Sequence, residues 1–195
     1  AQALRSSPAG TRLQIGESGL GAGARPEVGE QAALQDRDRI AEILRGADMI
    51  FLTAGLGGGT GTGAIPVVAE VAQQTGALTV AIVTLPFAFE GGERMKNAMR
   101  GLAGLQDRVD AAIVVPNDRL SVFCQSNLSL LTAFRLADEV LHNGVRAISE
   151  LITVTGLINL DFADVRTIME KSGRALMGIG VAEGEDRAVR AAKDA

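Results

Sequence analysis

The sequence predicts an α/β protein built on a three-layer, Rossmann-like parallel sheet with helices on both faces. Three observations carry that expectation. Short continuous apolar runs occur at Met49 to Leu52, Leu78 to Val83 and Ala112 to Val115, each bounded by turn signals. Runs of this kind suit strands buried on both faces. Segments with helical spacing lie between them, and strands alternating with helices at this interval argue for a parallel sheet. Finally, eleven of the 24 glycines fall in two windows, Gly16 to Gly29 and Gly55 to Gly63. Glycine clustered in this way marks specific loops and argues against a low-complexity linker.

Taken in order, Arg12 to Ile15 reads as a short strand after a Gly/Ser-rich start. Pro26 suits a first helical turn because its φ is already set. The helix it opens extends to Arg45, with Val28, Ala32, Ile40, Ile43 and Leu44 as apolar positions, and Gly46 stops it. The first buried strand follows, then a glycine-rich loop over 55–63, a helix over 64–75 and Gly76. The second strand leads through Pro86 to a helix over 91–106, and Pro116 closes the third strand. Residues 129–154 read as one long helix, with apolar residues at 130, 134, 137, 141, 145, 148 and 152. Beyond Gly156 the pattern predicts a helix over 161–171, a strand over 175–182 and a helix over 185–194. The expected organisation is a partial α/β unit over 1–128, a connecting helix over 129–154, and the start of a second α+β domain over 155–195.

Composition excludes several classes. One cysteine, Cys124, allows no internal disulfide, and with a single histidine, His142, no Cys/His zinc site can form. No metal-binding residues are assigned. The net charge of −4 and pI near 5.1 disfavour a phosphate-neutralising face for duplex nucleic acid. With no Trp or Tyr, base-stacking platforms for single strands are scarce. No apolar run reaches the roughly 18 residues that span a bilayer. The start, Ala1-Gln2-Ala3-Leu4, has neither an initiator Met nor a signal-peptide pattern, so the expectation is a cytoplasmic protein, partial in sequence.

Ligands of open α/β sheets bind beyond the carboxyl ends of the strands. All three strands here end in unusual loops, so all three can face one ligand. The first, Gly55 to Ala64, lets backbone N–H groups wrap an anion, with the positive end of the next helix aimed at the same place. The hydroxyls of Thr60 and Thr62 add donors. No Lys follows the last glycine, so this is not a Walker A loop. Residues 59–64 also fit G-x-G-x-x-A, the weak dinucleotide pattern. That reading wants an acidic residue at the end of the second strand, where Thr84 and Leu85 stand instead.

Gly57-Gly58-Gly59-Thr60-Gly61-Thr62-Gly63 resembles GGGTG[ST]G, the signature of the tubulin/FtsZ superfamily of GTPases, in its bacterial form. The resemblance extends over nearly all of the chain. Gly19 to Ala24 with Pro26 to Gly29 is similar to a second phosphate loop, which places Gly21, Ala22 and Gly23 against phosphate. Pro86, Phe87, Phe89, Glu90, Gly91 and Arg94 resemble a sugar-binding loop, and Pro116 to Leu120 the next nucleotide loop. Gly156 to Val165 resembles the family's synergy loop.

The resemblance assigns roles that the residues alone leave open. Asn117 would pair with a purine edge, or cap the next helix. Phe134 would stack on guanine, or simply pack in the core. Asp138, one turn on, would accept from two guanine N–H groups, a pair that adenine lacks. Glu90 and Arg94 would hold ribose, or form a surface ion pair. Asn159, Asp161 and Asp164 would reach the nucleotide of the next subunit, although Asp161 also suits an N-cap. The implied protein binds GTP or GDP with Mg²⁺, hydrolyses GTP slowly, and polymerises head-to-tail in a mid-cell division ring. It meets other division proteins through a C-terminal tail and involves neither nucleic acid nor membrane insertion. The alternatives are a dinucleotide oxidoreductase and a scaffold that binds nucleotide without hydrolysing it.

The same resemblance implies a fragment, which lacks the family's GGGGGN-like first loop, its first strand and that tail. The 195 residues alone are expected to bind and hydrolyse GTP poorly. Arg25 stands where Asp or Asn is usual, Ala88 replaces a polar residue, and about three residues before Gly19 are missing from the usual pattern.

Overall fold

The computed structural model describes residues 2–17, 19–120, 129–154, 161–175, 177 and 180–194. Its centre is one parallel sheet, ordered β1 (Met49–Gly55), β2 (Leu78–Leu85), β3 (Ala111–Pro116), β4 (Gly173–Ala175). Met49 pairs with Leu78, Val80 with Ala111, and Ala111 with Gly173. β2 is buried at seven of its eight positions, which is why it reads as unbroken apolar sequence.

Alternation along the strands divides the core into two layers. Leu52, Ala81 and Val83 face α4 (Thr60–Gln74) and α5 (Gly92–Gln106), meeting Ala69, Ala98, Leu102 and Leu105. Leu78, Val80, Ile82 and Ile113 face the other way, toward Leu141, Val145 and Ile148 of α7 (Leu130–Thr153). The expected three-layer α/β architecture is therefore observed.

Four elements differ from expectation. The helix over 26–45 is two helices, α2 (Pro26–Gln35) and α3 (Arg37–Leu44), broken at Asp36. The Asp36 carboxylate accepts from the Gly16 N–H at 2.7 Å and from Arg39 at 2.7 Å, which draws this residue out of helical geometry. Those hydrogen bonds, the Gly16 N–H first, hold its carboxyl below the usual aspartate range.

Arg12 to Ile15 forms no strand, because no described strand pairs with it. Leu13 and Ile15 instead pack on the cluster of Ala33, Ile40, Val67 and Val71. The strand expected over 175–182 is observed earlier and shorter, as β4, in the same sheet as β3; residues 176, 178 and 179 lie outside the described set.

The fourth difference bears on function. α4 begins at Thr60, four residues before the expected start, so Gly61 and Gly63 lie in its first turn. They are there for close approach. A Cβ on Gly63 would sit 1.9 Å from the Pro26 carbonyl oxygen and 2.7 Å from the Glu30 nitrogen. The missing side chain lets α2 lie directly on α4, and α2 carries the loop that precedes it toward the sheet's carboxyl edge.

α8 (Phe162–Met169) packs at the opposite edge. Phe162 and Met49, the first residue of β1, line one cavity, and Arg166 donates to the Gly76 carbonyl just ahead of β2. A short helix α1 (Gln2–Arg5) opens the described chain, another, α6 (Asn117–Leu120), follows β3, and α9 (Arg187–Asp194) closes it. No helix among the described residues is long and apolar enough to cross a membrane.

Candidate functional site

Because the strands are parallel, Gly55, Leu85 and Pro116 end at the same edge of the sheet. The loop after β1 is short, residues 56–59. Leu56 continues the ladder by donating to the Thr84 carbonyl at 2.9 Å. Gly57 turns at φ +107°, a conformation that side chains rarely adopt, and its N–H donates to the Thr62 hydroxyl at 2.8 Å. The first helical bond of α4 runs from Gly63 N–H to Gly59. The N–H groups of Thr60, Gly61 and Thr62 are consequently the open end of that helix, where a helix offers donors and positive potential.

The second glycine loop crosses this end. The Ala22 N–H reaches the Thr60 hydroxyl at 3.3 Å, and Arg25 N–H donates to the Ala22 carbonyl at 3.0 Å. Gly59 is the seat: a Cβ there would fall 2.7 Å from the Ala22 Cβ and 2.8 Å from the Arg25 nitrogen. Gly21, Gly23 and Gly58, by contrast, have open space around the Cβ position. Ala22 and Arg25 at the second loop thus lie directly against Thr60 and Gly59 of the first. Arg25 itself is exposed. The nearby Glu27 pairs with Arg100 at 2.6 Å, which holds the Glu27 carboxyl below its usual range.

The third wall is the loop after β2. Glu90 spends both carboxylate oxygens inside the protein: one accepts from Phe87 N–H at 2.9 Å, the other from Arg94 at 2.6 Å. The expected pair is present, as a brace for this loop. Asp118 adds a second brace by accepting from Ala88 N–H at 3.0 Å. Asp36 and Asp118 were not among the expected site residues. Their proximity to glycine-rich or Pro-Phe loops is long-range, and only Asp118, next to Asn117, carried any signal.

Phe134 lies beside this wall. Phe87 and Phe89 stack at 4.9 Å with planes 12° apart, and Phe134 meets Phe87 edge-on at 5.7 Å. Phe134 remains 42% exposed, so part of its ring is available to a partner. Asp138, one turn along, is exposed.

Asn117, which opens α6, is 4% exposed, and its Oδ1 is a buried oxygen with no hydrogen-bond partner among the described residues. Buried acceptors are nearly always satisfied, so an orphan directly after the carboxyl end of β3 calls for a partner.

The acidic pair sits elsewhere. Asp161 is the N-cap of α8, accepting from Ala163 N–H at 3.3 Å, and Asp164 stands in the first turn; both are exposed. Their helix is at the amino edge of the sheet, and the length of β2 alone separates the two edges by roughly 25 Å. Asn159 lies outside the described residues. No group of three or more His, Cys, Asp or Glu able to hold a metal exists among the described residues.

A model of the Tubulin/FtsZ family GTPase domain matches residues 1–125. The chain belongs to the tubulin/FtsZ family. It is similar to FtsZ from M. jannaschii in an empty dimer, at 49% identity and a TM-score of 0.96, over 100% of this chain and 57% of that one. A W319Y mutant of the same FtsZ matches at 49% identity and TM-score 0.96, with 59% of that chain covered. CetZ2 from Haloferax volcanii, in a GTPγS-bound protofilament, matches at 28% identity and TM-score 0.74, over 92% of this chain and 53% of that one. The chain therefore spans less than three fifths of the length of these tubulin/FtsZ relatives.

Proposed function

We propose that this chain supplies the guanine-nucleotide site of a GTP-hydrolysing, FtsZ-like protein that assembles head-to-tail. One observation carries the reading: two glycine loops, an open helix end, an exposed aromatic face and the orphaned Asn117 oxygen converge on one edge of the sheet. The helix end and Gly58 face phosphate, with Gly21, Ala22 and Gly23 on the other side of it. Asn117 Oδ1 accepts from the base, Phe134 stacks on it, and Asp138 selects guanine. Pro86 and the Glu90–Arg94 pair shape the ribose wall.

Mg²⁺ fits this donor set only as a companion of the nucleotide. Hydroxyls and amides line the phosphate end, and a hard cation with few protein carboxylates is held mainly by phosphate and water oxygens. Such an ion would neutralise phosphate charge. Hydrolysis needs a positioned water, and the carboxylates suited to orienting it are Asp161 and Asp164, with Asn159. Asp161 and Asp164 lie at the far edge of the sheet and serve the nucleotide of the next subunit. A contact joining unlike edges propagates without closing and builds a filament. The reading extends to a cytoplasmic division ring at mid-cell, with division partners bound outside this segment.

Competition against a labelled guanine nucleotide, in the full-length protein, tests the base assignment. GTP and GDP are expected to displace it about 100-fold more effectively than ATP, because a site built to pair polar edges rejects a ligand that leaves them unpaired. Equal displacement by ATP contradicts it.

A further inference from the structure

The two signature threonines occupy different environments. Thr60 is exposed at the open end of α4, with its hydroxyl toward the Ala22 N–H. Thr62 is only 2% exposed. Its hydroxyl accepts from Gly57 N–H at 2.8 Å, and its methyl packs on Gly101 of α5, where an added Cβ would lie 2.5 Å from Thr62 Cγ2. That fit leaves the side chain little rotational freedom. On its other side Gly57 abuts the Arg94 carbonyl and the Pro86 ring, which an added Cβ would approach to 2.9 and 3.2 Å.

We infer that Thr62 is a positioning residue for the phosphate loop: its buried hydroxyl holds Gly57 so that the amides from Gly58 onward face the anion. The inference rests on the nucleotide reading above, and it replaces the expectation that Thr62 itself donates to phosphate. The loop is pinned at Leu56 by the strand ladder, at Gly57 by Thr62, and at Gly59 by the crossing loop. Gly58, with open space at its Cβ position, and the exposed Thr60 are left at the open end of α4. No helical carbonyl can accept the Gly57 N–H, because the loop lies ahead of the helix; a side-chain acceptor one turn inside is the remaining local solution. Removing the hydroxyl strands a buried donor and releases the one residue whose φ aims the loop. A hydroxyl is what the position requires, and the signature that this loop resembles allows Ser or Thr there.

The test compares Thr62→Val with Thr62→Ser in the full-length protein, titrating GDP and guanosine by calorimetry alongside thermal melts without nucleotide. Thr62→Val is expected to weaken GDP about tenfold while leaving guanosine unchanged, since only the phosphate end is disturbed. Thr62→Ser is expected to bind GDP within about threefold of the parent. If Thr62→Val fails to fold, Thr62→Ala takes its place with the same outcomes. Parent-like GDP affinity in the hydroxyl-free variant overturns the inference. So does an equal loss of GDP and guanosine, which would mark a purely structural role, or a serine variant as weak as valine. A parent protein that binds no GDP at all overturns the nucleotide reading, and this inference with it.

Discussion

Replacing Gly63 with alanine is expected to cost about 3 kcal/mol of stability and to abolish phosphate binding with it. The new Cβ would lie 1.9 Å from the Pro26 oxygen, 2.8 Å from the Pro26 carbonyl carbon and 2.7 Å from the Glu30 nitrogen. All three are backbone atoms, so no side chain can swing away; α2 itself must lift from α4. The crossing loop then leaves Thr60, because it is anchored by the start of α2. Gly104→Ala is the matched control. Gly104 lies inside α5 and its Cβ would meet Pro66 of α4 at 3.5 Å, an ordinary contact, and the gain in helix propensity there is up to about 1 kcal/mol. Urea unfolding of both variants decides the matter. Equal midpoints would mean that the α2–α4 crossing does not depend on the absent side chain.

The second large effect concerns the far edge. Asp161→Ala and Asp164→Ala are each expected to lower GTP turnover by about 100-fold or more while GTP affinity stays near that of the parent. The separation follows from geometry: both carboxylates sit at the amino edge, away from their own chain's glycine loops. Loss of the Asp161 cap also costs about 1 kcal/mol of helix stability, so melting temperatures must accompany the kinetics. Asp161→Asn separates the two roles, since asparagine caps as well as aspartate but carries no charge. Full turnover in Asp164→Ala and Asp161→Asn would remove these acids from the reaction.

Much of this was legible in the chain itself. β2 announced itself because burial on both faces demands seven consecutive apolar or small residues. The long helix was legible because α7 packs one stripe on the sheet, through Leu141, Val145 and Ile148. What escaped was set by partners distant in sequence. Nothing in 26–45 shows that Asp36 will turn away to meet Gly16. Leu13 and Ile15 alternate like a strand but have no ladder to join among the described residues. The glycine-rich stretch read as one long loop because glycine usually signals a turn. Half of it is helix, and Gly61 and Gly63 are there for contact with Gly55 and Pro26.

The site shows the same division. The signature loop and Asn117 were visible as glycines and polar groups after strands, and the crossing loop through its resemblance to a second phosphate loop of the family. The different roles of Thr60 and Thr62 were not, since the distinction lies in burial. Glu90 and Arg94 were found as a pair, but their hydrogen bonds to each other and to Phe87 tie them to the loop first.

In the proposed mechanism the reaction needs two subunits, one giving the glycine-lined edge and the next giving Asp161 and Asp164. The most direct measurement is GTP turnover per subunit of the full-length protein across a wide range of protein concentration. Turnover per subunit is expected to be negligible in dilute solution and to rise steeply once subunits associate. A turnover per subunit that is constant on dilution would show that one chain hydrolyses GTP alone, and would contradict the account.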